Sequence, residues 1–441
     1  MLEILAGMLR TAAPILLAAM GGVVFEKSGV FTIAHEGIML FGAFFGVLGV
    51  YLTASPLMGV AFALTAGAVS VGGNVLLAFN RTDAVAAIYR TNVASDGDIL
   101  VQAEMADAIA RADLYKAEAG AIAVGVSVAY AQMRAANSAW IDATGATVRA
   151  GGNLSVYAVE EGARNEAVAE ATTMSGNVGA IAAAVNVGIA DNDARNEVGI
   201  LGTGSVSADG DIRVEAWLNS AAPVKLYGLN AGAISVGVGT LVSLNRSHNY
   251  ATIDGGTLQA AGVSVKVQTD PANGGAIASV DLMQGSGSLI GGGVNVAVAY
   301  ARVENIAKVG ASGIKVRNAL RAYSGGTGNA SARIRNLDVA GVAIGVMTGY
   351  AYAQGTYEAK LALPSGAKVN AGSIEVLTDV LARAAAEVEP SLGGVSLNAV
   401  NVKVNLAIAN VSTSTTAAIE GADGPLADIV SGGDVRVRAN I

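Results

Sequence analysis

The chain has 441 residues with no Cys, two His and a formal net charge of -8. Disulfide staples, cysteine-based zinc sites and a basic nucleic-acid-binding face are therefore excluded. Charged residues make up 14%, against about 25% in a typical soluble domain, while hydrophobic residues reach 52% with aromatics at 5%. Disorder needs low hydrophobicity and high charge, so it is excluded as well. The mean hydropathy of +0.50 calls for a membrane segment, unusually apolar β-structure, or both.

The first region differs from the rest. An amphipathic Met1–Arg10 precedes the apolar stretch Thr11–Phe25, which Glu26 and Lys27 stop. A signal peptide is disfavoured, because Glu3 offsets Arg10 and no small-x-small cleavage site precedes a mature domain. From Gly37 to Asn80 no side chain is charged. Gly37–Ala54 approaches the roughly 20 apolar residues that span a hydrocarbon core, and Ser55-Pro56 breaks it. Five of the seven Phe (Phe25, Phe31, Phe41, Phe44 and Phe45) precede residue 50, which marks a composition boundary. These features predict one or two transmembrane helices within residues 1–65.

The run Glu26-Lys27-Ser28-Gly29-Val30-Phe31-Thr32-Ile33-Ala34-His35-Glu36-Gly37-Ile38-Met39-Leu40-Phe41-Gly42-Ala43 resembles the N-terminal signature of inner-membrane permeases of ABC importers for nucleosides and simple sugars. The resemblance covers residues 1–65. It implies a membrane partner and an ATP-binding subunit, with Glu26, Gly29, Glu36, Gly37 and Gly42 matching the motif. Glycines permit close helix approach, and glutamates at segment ends stay wet or cap a helix. Two helices cannot build a translocation pathway, so transport is not assigned to this chain alone.

From residue 66 a repeat takes over. One anchor is a Gly followed by small/apolar alternation, at Gly67, Gly120, Gly179, Gly232, Gly287, Gly341 and Gly394, at intervals of 53, 59, 53, 55, 54 and 53 residues. A second anchor brings a turn glycine at Gly97, Gly152, Gly210, Gly262, Gly313, Gly372 and Gly433. Two anchors in the same order, seven times, define a period of about 55 residues.

Within each unit the periodicity is two. Small residues alternate with β-branched ones in residues 121–130 and 294–301, and polar residues take one face in residues 212–216 and 435–439, as in half-wet strands. Alanines on every second position of residues 106–112 favour strand over helix there. Asp-Gly, Gly-Gly and Asn-Arg-Ser/Thr sequences (Asn80–Thr82, Asn245–Ser247) are read as turns. The expected fold is mainly β: a parallel β-solenoid of about seven repeats, with about three strands each and small residues inside. An outer-membrane barrel is disfavoured, because the repeats hold one Phe (Phe79) and two Trp (Trp140, Trp217), too few for aromatic girdles.

The segments Ala231–Gly239, Leu244–Ser247 and Ser207–Ala216 resemble the repeats of leukotoxin-type filamentous adhesins and related haemagglutinin-like exoproteins of Gram-negative bacteria. This second resemblance covers residues 66–441. It implies a cell-surface or secreted location and host-surface or cell-surface ligands. The two resemblances together make the chain look like a fragment or chimera of two unrelated units.

Little in the sequence points to catalysis. There is no phosphate-binding G-x-x-x-x-G-K-[ST] loop, and Gly285–Gly291 reads as a turn at an anchor. His35-Glu36 lacks the second His of a zinc helix. His248 is read as an exposed residue beside a turn. The carboxylates of Asp96, Asp98, Asp209 and Asp211 are read as solvated turn groups rather than Ca²⁺ ligands. No cofactor, metal or nucleic-acid partner is expected, and the favoured function is a non-enzymatic adhesin-like repeat protein, with a permease subunit as the alternative.

Overall fold

A computed structural model describes residues 69–105, 107–158, 166–269, 275–389 and 399–441, with side chains from residue 72. The transmembrane helices expected in residues 1–65 lie outside the described residues. Among the described residues there are nineteen strands and no helix, and so no helix long and apolar enough to cross a membrane.

The strands follow one plan. The first repeat holds β1 (Val69–Tyr89), β2 (Val93–Ser95), β3 (Ile99–Ala103) and β4 (Ala108–Ala119). The second holds β5 (Ile122–Asp142), β6 (Thr147–Ala150), β7 (Leu154–Ala158) and β8 (Glu166–Val178). Then come β9 (Ile181–Leu201), β10 (Ser205–Ala208) and β11 (Ile212–Asp254), in which the last strands of one repeat run on into the first of the next. The same merging recurs in β14 and β15 within the series β12 (Thr257–Ala260), β13 (Val263–Thr269), β14 (Ala276–Gly310), β15 (Gly313–Leu363) and β16 (Lys368–Glu389). The series ends with β17 (Val400–Gly421), β18 (Asp428–Ser431) and β19 (Val435–Asn440). Each complete repeat thus has a long strand, a short strand, a third strand and a return strand: four segments where the sequence suggested three. The alternation after the second anchor hides a break between the third and return strands.

Every ladder is parallel, and each residue pairs with its counterpart one repeat on. Ile122, Ile181, Ile234, Ile290, Val342 and Val400 form one such column. A parallel register between like sequences puts like side chains side by side, so the period of two becomes continuous inward and outward columns. Residues 108–112 are strand, as their alternating alanines predict.

The long strand separates two apolar clusters. Its later half closes a core with the short and third strands, built in the second repeat from Ala139, Ile141, Val148, Ala150, Leu154 and Val156. Its middle packs on the return strand through Ala129, Ala131, Met133, Ala167, Ala169 and Ala171. Alanine dominates the second cluster, so each residue buries little area and the stabilisation comes from repetition.

Between the clusters runs a column of buried amides. Asn137, Asn196, Asn249 and Asn305 stand in register and are at most 1% exposed. Asn137 donates to Asn196 at 3.0 Å and Asn249 donates to Asn305 at 3.1 Å. Asn305 donates in turn to Thr269 Oγ1 at 2.9 Å and to the Gly325 carbonyl at 2.7 Å. A buried amide needs such partners, and here they sit where the third strand bends into the return strand.

In the next repeat the column position is Tyr357, fully buried beside Val303 and Ala276. Its hydroxyl meets no hydrogen-bond partner, and burial pushes its pKa above the ordinary phenol value. Tyr357→Phe is therefore expected to raise stability by about 1 kcal/mol, read as a higher urea midpoint. The pKa is raised in the folded state, so stability held by the neutral phenol is complete below the unfolded value of about 10 and falls as pH rises above it. The Phe variant loses that part of the alkaline decline.

Asn80–Thr82 and Asn245–Ser247 are not turns. They lie inside β1 and β11, where Asn80 donates to the Ile109 carbonyl at 3.0 Å and Asn245 to those of Ser220 and Ile277 at 2.9 and 3.0 Å. The amide side chain bridges opposite walls of the interior, so a turn-forming residue type serves as a cross-core tie. Gly285–Gly291, also read as a turn, is carried within β14, whose pairing with β11 runs on both sides of Leu289.

While Gly275 and Gly326 lie where the third strand meets the return strand, most left-handed positions among the described residues fall at another corner, between the long and short strands. Gly145, Gly202, Gly255 and Gly366 take φ of 66°, 101°, 83° and 69° there, a conformation glycine adopts without a Cβ penalty.

Candidate functional site: a charged stripe on the long face

Of the glycines expected at turns, Gly97, Gly152, Gly210 and Gly433 lie in bends between the short and third strands, and Gly262 immediately precedes β13 at the same corner. Gly372 marks that corner inside β16, between the residues paired with β18 and those paired with β19. Gly313 does not: it opens β15 beside Thr257. The corresponding corner lies at residues 317–319, where the register shifts between Val316 and Ala319. Asn318 occupies it without a glycine, so the local Ser-Gly-Ile pattern pointed one strand too early.

Adjacent turns stack. The Asn153 amide N–H donates to Asp98 Oδ1 at 2.6 Å, and that of Asp211 donates to Asn153 Oδ1 at 3.0 Å. The Asp98 carboxylate thus serves the corner, whereas Asp211 contributes its backbone N–H there and its carboxylate lies 3.3 Å from Arg213. A Cβ at Gly151 would lie 2.4 Å from the Asp96 carbonyl oxygen, which explains a small residue there without any binding role. The permease-like residues Glu26, Gly29, Glu36, Gly37 and Gly42 lie outside the described residues.

The outward face of the long strands carries the richest chemistry. Asp191, mostly buried, accepts from Gln132 Nε2 at 3.1 Å and Arg134 Nη2 at 2.9 Å, and from Arg246 Nη2. Arg134 also reaches Asp193 at 3.2 Å. His248 lies inside β11 rather than beside a turn, with Nδ1 3.1 Å from Glu304 and Nε2 3.9 Å from Asp193. Burial, and next its hydrogen bond with Glu304, pushes the Tyr250 hydroxyl above the ordinary phenol range. These residues come from four consecutive repeats, so parallel stacking alone assembles them. Exposed ion pairs contribute little singly, but a shared carboxylate fixes the geometry of two guanidinium groups.

Beside the stripe, Phe79, Arg81, Asp83, Arg134, Asp193 and Arg195 line a groove of about 670 Å³. Phe79 is exposed and its ring centroid is 5.6 Å from that of Tyr130. An aromatic platform beside alternating charges offers stacking and hydrogen bonds to a polar ligand. Charges scattered at intervals near 55 residues were not visible as a cluster in sequence; only the pairing register reveals them. Among the described residues no group of three or more His, Asp or Glu is placed to hold a metal ion. Comparison of the chain with protein families, with curated proteins and with solved structures gave no match.

Proposed function

We propose that the chain is a non-enzymatic, adhesin-like surface protein whose repeats wind into a parallel β-solenoid presenting an extended binding face. The supporting observation is the Arg134–Asp191–Arg246 stripe with its adjoining groove, assembled only by neighbouring repeats. A stacked array extends a recognition surface without a separate scaffold. Its partners on this reading are host-surface or cell-surface ligands. Residues 1–65 would hold it at a membrane.

The test uses the full chain on epithelial cell monolayers. Saturable binding is expected, and the double substitution Phe79→Ala and Arg134→Ala should weaken it about tenfold, equivalent to about 1.4 kcal/mol. Absence of saturable binding, or undiminished binding by a folded double variant, would overturn the reading.

The second reading, a permease subunit of an ABC importer for nucleosides or simple sugars, rests on the Glu26–Ala43 run alone. Co-purification with an ATP-binding subunit from membranes would favour it, and a chain recovered wholly in the soluble fraction would sink it.

A further inference from the structure

Polarity is inverted along one edge of the fold. Where the return strand meets the long strand, the inward residues include Ser127, Asn177, Asn186, Asn230 and Asn295, all buried. The outward residues of the long strands there are apolar: Val126, Val236, Ile290, Ile344 and Val402 are each 42–57% exposed. The outer surface of the return strands matches them with Met174, Val178, Leu229 and Leu337, and Leu289 stands at the corner, all exposed. No outward side chain between the corner and residue 128, or at the paired positions in later repeats through residue 406, is charged. At 3.3 Å per residue and 4.8 Å per strand, the long-strand face alone covers roughly 800 Å², beyond the about 300–600 Å² of the largest patch on a typical monomer.

Aromatic rings border this edge on both faces. Phe79, Tyr130, Tyr300 and Tyr352 stand on the long strands, with the Tyr300 and Tyr352 rings stacked at 5.3 Å. Tyr115 and Tyr227 stand on the return strands. Charged side chains enter at the level of the rings, with Asp191 in the Phe79–Tyr300 column and Arg335 in the Tyr227 column. They continue beyond it with Arg134 and Arg246 on one face and Lys225 and Asp281 on the other.

Apolar surface, then an aromatic border, then charge is the order a protein shows across a membrane interface. The apolar surface wraps the corner and continues on both faces, so a second copy packed flat on one face would leave the other in water, whereas hydrocarbon covers both. The uncharged run from Gly37 to Asn80 also takes in the first half of β1, which lies in this edge. We propose that this edge embeds in the hydrocarbon of a lipid bilayer, with the tyrosines at headgroup level. The inference stands apart from the adhesin reading, which concerns the charged stripe.

The chain contains no Cys, so single labels can be placed without interference. Full-length Val236→Cys, Ile344→Cys and Arg213→Cys, each carrying an environment-sensitive nitrobenzoxadiazole, would be mixed with phosphatidylcholine vesicles with and without doxyl-labelled lipid. Blue-shifted emission at 236 and 344, quenched by the doxyl lipid, is expected, with neither change at 213. Unquenched emission at 236 and 344 overturns the proposal, even where the chain sediments with vesicles through residues 1–65. Concentration-dependent burial of 236 without lipid quenching also overturns it and identifies a second copy as the occupant.

Discussion

Asn305→Asp is expected to destabilise the fold by about 3–5 kcal/mol at pH 7, because it leaves a buried charge without a cation. Asn305 is completely buried. The carboxylate oxygen replacing its amide nitrogen would face the Gly325 carbonyl oxygen, now 2.7 Å away as an acceptor. Thr269 can turn its hydroxyl to donate, but the carbonyl cannot. Burial raises the folded-state pKa of the new carboxyl above the unfolded value of about 3.9. The penalty is therefore absent below the unfolded value and grows as pH rises towards the folded one. Urea titrations at pH 7 and at about pH 4 should show a large deficit shrinking in acid. Asn305→Leu, which removes the hydrogen bonds without burying a charge, should show a smaller deficit that does not depend on pH. An Asp variant with the parental midpoint at pH 7 would mean that the amide column does not hold the two cores in register.

Gly204→Ala should cost about 3 kcal/mol. A Cβ there would lie 2.0 Å from the Ala146 carbonyl oxygen and 2.1 Å from that of Ala143. Both belong to the backbone of the preceding repeat, so no side chain can swing aside and the two repeats must separate locally. Gly97→Ala is the matched control. A Cβ at Gly97 meets nothing within 4 Å, and its change should stay within about 0.5 kcal/mol. Equal effects at the two positions would contradict the stacking of like corners, since the difference comes entirely from the repeat that lies beside Gly204. Thermal unfolding monitored by far-ultraviolet circular dichroism reads both.

The repeat and the strand character were legible because Asp-Gly and Gly-Gly corners recur and because alternation survives in every unit. The corners themselves are legible where a glycine is forced by close backbone approach, as at Gly372, where a Cβ would lie 2.4 Å from the Arg317 carbonyl oxygen. They are not legible where Asn318 bends the chain without one, and the glycine pattern points to Gly313 instead. Asn245 was misread for a related reason. Its residue type favours turns locally, while its actual partners, Ser220 and Ile277, are 25 and 32 positions away. The charged stripe was hidden for the same reason, being distributed over several repeats. A period of two shows that a strand has two faces but does not say what lies outside each, which is why the polarity of the edge around Val236 emerged only with the fold.

The parallel pairing also has a mechanical meaning. Hydrogen bonds run from repeat to repeat while the chain runs across them, so tension applied along the stack opens the terminal ladder one bond at a time instead of shearing many at once. Releasing one repeat frees about 55 residues, or roughly 190 Å of contour at 3.3–3.6 Å per residue. The stack would yield in a series of low steps of similar length, one per repeat, each with the rest of the array intact behind it.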